Sequence, residues 1–175
     1  MTEQTIHFIE HLQGLAKSEN RGALAALRRG LGQPPGTTAE MFRYIVPHLP
    51  KARKQEMACY LIAPLFALHP QPGGVGNFGT HLRKCDPDGK NSDALERRFT
   101  ALLSAHADDL PGYLRQAVSF LKSKDIPINW SQLFWDLQDW DEKREDPRDS
   151  IQKQWASAFW SRIQPNEKPP EDSGG

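Results

Sequence analysis

Cysteine is scarce in this 175-residue chain: there are two, Cys59 and Cys85, 26 positions apart and with no CxxC pair. That argues against a disulfide framework or a cysteine zinc site and leads us to expect two reduced, partly buried thiols in a cytoplasmic protein. Long apolar runs are also missing. None approaches the ~18 residues of a membrane span, so no membrane partner is expected. The first 20 residues carry Glu3, Gln4, His7, Glu10 and His11, which do not make the apolar core of a secretion signal. No alternating pattern marks a strand, no internal repeat is visible, and no serine or cysteine sits in a nucleophile elbow.

Net charge is absent too, with 22 Lys and Arg against 22 Asp and Glu. A zero balance by itself argues against nucleic-acid binding, which usually goes with a basic excess. The zero is a sum of opposed blocks. Residues 1–20 hold one base and three acids, residues 21–124 fifteen bases and eight acids, and residues 125–175 six bases and eleven acids. A +7 middle between acidic ends is information about partners.

What is present is helical spacing along nearly the whole chain. Ile6, Ile9, Leu12 and Ala16 predict a first helix over 3–17, and Leu24, Leu27 and Leu31 a second over 21–31. Thr37 with Glu40 reads as a capping box opening a third helix that runs to Val46. A fourth covers 51–68, with Met57, Leu61, Leu65 and Leu68 on one side and Pro64 expected to kink or divide it. After a loop over 69–77 comes a short helical turn through Phe78 and Leu82, then a polar loop over 86–92. Four further helices follow. One starts at Asp93 and Glu96 and reaches His106, and the next has Pro111 in its first turn and ends at Lys122. Asn129 caps the third, which runs to Asp141, and Pro147 starts the last. The expectation is an all-α chain of two small helical bundles. These are an N-terminal domain over 1–86 and a C-terminal four-helix bundle over 87–163, with a disordered tail over 164–175.

Several motifs yield little. Gly74-Val75-Gly76-Asn77-Phe78-Gly79 matches GxGxxG, but Pro70 and Pro72 precede it and no strand does, so a loop is favoured over a dinucleotide site. His7 and His11 have the i,i+4 spacing of a metal clip but lack further ligands, and they read as a solvated surface pair. The acidic cluster over 136–149, Asp136 to Asp149, is mixed with Lys143, Arg144 and Arg148 and reads as a charged helix end and linker. No metal, cofactor or catalytic role is expected. Of the five tryptophans, Trp130, Trp140 and Trp155 fit apolar stripes and belong in the core. Trp135 and Trp160 fall beside the stripes, where they could contact another subunit.

The basic residues remain. Arg21, Arg28 and Arg29 share a face of the second helix, and only Glu19 near Arg21 offers them an acid within one turn. Arg97 and Arg98 lie outside the Leu95, Phe99 and Leu102 stripe. Arg115 and Lys122 are seven apart on the next helix, Arg53 clusters with Lys51 and Lys54, and Arg83 adjoins Lys84. Arginine grips phosphate with two parallel hydrogen bonds. Two readings stand on pattern alone: a helical nucleic-acid-binding module, and a helical protein-interaction adaptor with no nucleic-acid contact.

The order of RGALAALRRG (21–30), NFGTHLRKC (77–85), LERRFTALLSAH (95–106), YLRQAVSFLKS (113–123) and INWSQLFWDLQDWDEKRED (128–146) resembles the CasB family over residues 5–163. These are the small subunits of the type I-E CRISPR surveillance complex, Cascade. The resemblance implies two helical bundles without enzymatic activity. Two copies would pack head to tail beside the backbone and large subunits, along the CRISPR guide RNA paired with target DNA. There they would help hold the displaced strand of the R-loop, with cleavage left to a separate helicase-nuclease. It implies nucleic-acid contacts at Arg28, Arg29, Arg53, Arg97, Arg98, Arg115, Lys143 and Arg144. One departure is Ser104, Ala105, His106 and Ala107, where some relatives carry further arginines.

Overall fold

The computed structural model describes residues 3–87, 92–141, 146 and 150–161. Its helices are α1 (Glu3–Lys17), α2 (Arg21–Arg28), α3 (Phe42–Ile45), α4 (Arg53–Leu68), α5 (Phe78–Arg83), α6 (Ser92–Leu103), α7 (Leu110–Ser123), α8 (Trp130–Gln138) and α9 (Ile151–Trp160). Short 3-10 turns, Ala39–Met41 and Val46–His48, flank α3. The fold is all-α. Among the described residues the one extended pairing is an isolated bridge between Pro72 and Ile128.

Local chemistry accounts for most helix starts. Asn20, Asn77, Asn129 and Ser150 each accept a hydrogen bond from a backbone N–H three residues on, at 3.0–3.3 Å, and so satisfy a donor that the helix leaves open. The last helix therefore begins at Ile151 behind Ser150, not at Pro147, which lies outside the described residues. The expected capping box fails. Thr37 donates to the Pro34 carbonyl at 2.8 Å, and Glu40 turns away to meet Arg29. The third helix consequently breaks into a 3-10 turn, one α-turn and a second 3-10 turn.

Helix α4 is the centre of the molecule, packed against α1, α2, α7 and α8. With neighbours on several sides it buries Ala58 to Tyr60 and Ile62 to Ala67, not one stripe. Met57, expected inside, is 44% exposed, and Leu61 and Leu68 are half-buried. Pro64 neither divides nor ends the helix. An interior proline costs a helix about 3 kcal/mol, and burial among four helices offsets that cost where a solvated helix would break.

Helices α6 to α9 share their core with the first half of the chain. Helix α4 packs on α7 and α8, and α5 on α7 and α9. Aromatic pairs mark these seams, Phe66 against Trp130 at 5.4 Å and Phe78 against Trp155 at 5.0 Å between ring centres, while Phe99 against Phe159 at 4.3 Å joins α6 to α9. Trp130, Trp140 and Trp155 are in the core as expected, while Trp160 is 45% exposed and Trp135 half-buried. The loop after α4 is stitched to the one before α8. His69 Nε2 bonds the Ile126 carbonyl at 2.8 Å, and the Ile128 N–H and Trp130 indole N–H both donate to the Gln71 carbonyl.

The GxGxxG stretch has a steric meaning here. A Cβ on Gly79 would fall on the Trp155 carbonyl oxygen, with the Trp155 carbonyl carbon at 2.8 Å, so glycine sets how closely α5 crosses α9. A Cβ on Gly74 would stand 2.5 Å from the Pro127 carbonyl, and Gly76 has φ +93°. His81 lies fully buried beneath this loop with no hydrogen-bond partner on either ring nitrogen.

Two polar readings are corrected. Asp136 is not part of a charged helix end but is buried, accepting from Trp155 Nε1 at 2.6 Å and Gln132 Nε2 at 2.8 Å. Burial raises its pKa, and the two donated hydrogen bonds oppose the shift. His7 and His11 are not a solvated pair. His7 meets Glu10 at 3.5 Å, whereas His11 is half-buried, stacked on His48 at 3.6 Å and bonded to the Tyr44 carbonyl.

Candidate nucleic-acid interface

Helices α6 and α7 pack with Leu95, Phe99 and Leu102 facing Leu114, Val118 and Leu121 in the core. Successive helical residues differ by about 100°, which turns Arg97 and Arg98 to different sides. Arg97 folds back on its own helix, its Nε donating to the Asp93 carbonyl at 3.1 Å. Arg98 reaches across toward α7, with its guanidinium 5.9 Å from the Phe120 ring centre, and Lys124 stands at the same distance from that ring. Arg115, on the exposed side of α7, lies against Gly32 in the turn after α2. Gly32 has φ +72°, where a side chain would be strained, and a Cβ there would meet the Arg115 guanidinium at 3.5 Å. Thus the structure brings Arg98 and Arg115 to one cleft, with Gly32 of the turn after α2 at its rim, while Lys124 shares the Phe120 ring and a neighbouring hollow with Arg98. Arg98 and Arg115 have no acidic partner among the described residues.

The other sequence-predicted cations are spread more widely. Arg28 is exposed and its Nε donates to the Leu24 carbonyl at 3.2 Å. Arg29 is not unpaired: its Nη1 meets Glu40 Oε1 at 2.8 Å, an acid eleven positions away that helical spacing could not reveal. Glu40's own backbone N–H, and then Arg29, hold that carboxyl below its ordinary pKa. Arg21 is exposed at the start of α2. Arg53 and Lys54 border a separate groove of about 730 Å³ with Leu61, Leu137 and Trp140 in its walls and Asp108 and Asp141 also lining it. Arg83 donates to Ser161 Oγ at 2.8 Å near the end of α9. Lys84 and Lys122 are exposed. Lys143 and Arg144 lie outside the described residues.

Sequence spacing missed Lys124, Tyr113 and Phe120. The i,i+4 relation of Phe120 and Lys124 was visible, but only the packing of α6 on α7 adds Arg98 to it. Both cysteines are free and buried, and desolvation pushes each thiol pKa up to about 12, so neither is a thiolate near neutral pH.

The model of the family described as CRISPR-associated protein Cse2 matches residues 23–160. The chain belongs to the Cse2 family. This Cse2-family chain is 32% identical over 161 residues to the CRISPR-associated protein Cse2 of Thermus thermophilus, covering 90% of this chain and 89% of that one. It is similar to the crystal structure of CasB from Thermus thermophilus, with a TM-score of 0.76, 28% identity and coverage of 93% and 100%. A chain of a CRISPR RNA-guided surveillance complex is similar at a TM-score of 0.75 and 27% identity, covering 90% of this chain and 91% of that one. The expected CasB membership is therefore correct, and the all-helical fold with it.

Proposed function

We propose that the chain is the non-catalytic small subunit of a type I-E CRISPR RNA-guided surveillance complex, Cascade. The observation that carries this reading is its likeness, along nine-tenths of its length, to a chain of a CRISPR RNA-guided surveillance complex. In the cytoplasmic assembly two copies lie head to tail beside the backbone and large subunits and along the guide RNA paired with target DNA. Their basic helical faces hold the displaced strand of the R-loop, and cutting belongs to another protein. The division of the chain into 1–86 and 87–163 is part of the same proposal, with the shared core joining the two groups.

The physical requirement is modest. Guide pairing reads the sequence, so the subunit needs only to grip phosphates, and R-loop formation is close enough to balance for a few such grips to tip it. Arg98 and Arg115 on one cleft, Lys124 beside Arg98 at the Phe120 ring, and exposed Arg28 and Lys122 supply donors on the helical surface. In the reconstituted complex, Arg98→Gln with Arg115→Gln is expected to weaken target-DNA binding while leaving assembly intact. The salt slope on a single strand should shallow by about 0.7 for each phosphate no longer neutralised. Unchanged affinity and unchanged slope would overturn the reading.

The adaptor alternative is favoured locally by the Arg29–Glu40 pair and by exposed Phe42 and Val46 near it in sequence. Arg29 there serves the fold of the α2–α3 connection, and that surface fits a protein contact better than a phosphate.

A further inference from the structure

The cleft between α6 and α7 has more in it than phosphate donors. It encloses about 830 Å³, a size typical of small-molecule sites. Its walls include the rings of Phe99, Phe120 and Tyr113 and the side chain of Leu102, with Arg98 and Arg115 also lining it and no acid among the lining residues. Tyr113 is 36% exposed although its helix buries Leu110, Leu114, Val118 and Leu121, so its ring is available at the cleft and not spent on the core. Phosphate grip alone calls for exposed cations and leaves an apolar, aromatic hollow without a purpose. Single-stranded nucleic acid has both matching parts, an anionic backbone and flat apolar bases.

We propose that this cleft takes an unpaired nucleobase from a single strand, with the base against Tyr113 and the aromatic floor and the flanking phosphates on Arg98 and Arg115. The inference rests on the nucleic-acid reading above and adds a base-contacting site to it. Because every base has a flat face, such a site holds a strand without reading its sequence. That suits a displaced strand whose sequence varies from target to target.

The test compares the full-length chain binding a short oligothymidylate and an abasic deoxyribose-phosphate strand of the same length, at low salt. The wild-type protein is expected to bind oligothymidylate about tenfold more tightly, the scale of one base–aromatic stack. Tyr113→Ala should bring the two strands to equal affinity without changing the abasic one, and Tyr113→Phe should keep the preference. Arg98→Gln with Arg115→Gln should weaken both strands together. Equal wild-type affinity for the two strands overturns the base site and leaves phosphate binding standing. Failure to bind either strand overturns both. If Tyr113→Ala changes self-association in sedimentation but not the strand preference, the cleft belongs to a second copy of the chain, and the proposal falls.

Discussion

Burying His81 without a hydrogen-bond partner should make this protein acid-sensitive in a defined window. Desolvation, and then the nearby Lys84 ammonium, lower its pKa from 6.5 to about 4, with the Val75 backbone opposing. Between those values the unfolded chain binds a proton that the folded chain refuses. Stability is therefore whole above pH 6.5 and falls as the pH drops toward 4. Each pH unit in that interval is worth about 1.36 kcal/mol, so the whole interval is worth about 3 kcal/mol. For a chain of this size that is roughly 10 °C in melting temperature. Thermal unfolding followed by circular dichroism from pH 7.5 to 4.5 reads it, comparing wild type with His81→Leu. The replacement shifts stability by an amount that does not depend on pH, and its curve should be flatter by about that 3 kcal/mol. Asp136, whose raised pKa acts in the opposite direction, is common to both proteins and cancels in the difference. Parallel curves for the two proteins would refute the argument.

Gly79→Ala sets a side chain against the Trp155 backbone. Overpacking of this kind costs about 1–3 kcal/mol or more, because a main-chain atom cannot rotate aside. Gly14→Ala in α1 meets nothing within 4 Å and should be neutral or stabilising, so equal melting temperatures for the two variants would remove the steric account of Gly79. Asp136→Ala leaves the fully buried Trp155 indole N–H without its acceptor. It should cost about 2–4 kcal/mol in urea unfolding, against under ~1 kcal/mol for Gln132→Ala on the exposed side of the same carboxylate. Equal costs would mean that the buried bond is not what ties α8 to α9.

The helices were legible in the sequence because burial on one side imposes a period of three and four, and because Asn and Ser mark where backbone donors need an acceptor. Asn129 at the start of α8 and the three core tryptophans follow from such local rules. Rules of that kind fail where a neighbour distant in sequence decides the outcome. Glu40 satisfied every requirement of a capping box, yet a charge eleven positions away took it. Pro64 should break a solvated helix, but α4 buries Ile62 to Ala67 around it against its neighbours.

The candidate site divides the same way. Composition alone concentrated the arginines in the middle of a neutral chain, and the order of its motifs pointed to the Cse2 family. Which arginines stand together could not be read from spacing, since α6 and α7 carry theirs on separate segments and the turn after α2 reaches Arg115 from a distant part of the chain. The tertiary structure alone made a cleft of Arg98, Arg115 and Tyr113, and set Arg29 aside with Glu40. It also gave the three glycines of the GxGxxG stretch a role in close packing. The physical reason is that helix periodicity reports which side of an element is buried, while a site is made by what packs against the other elements.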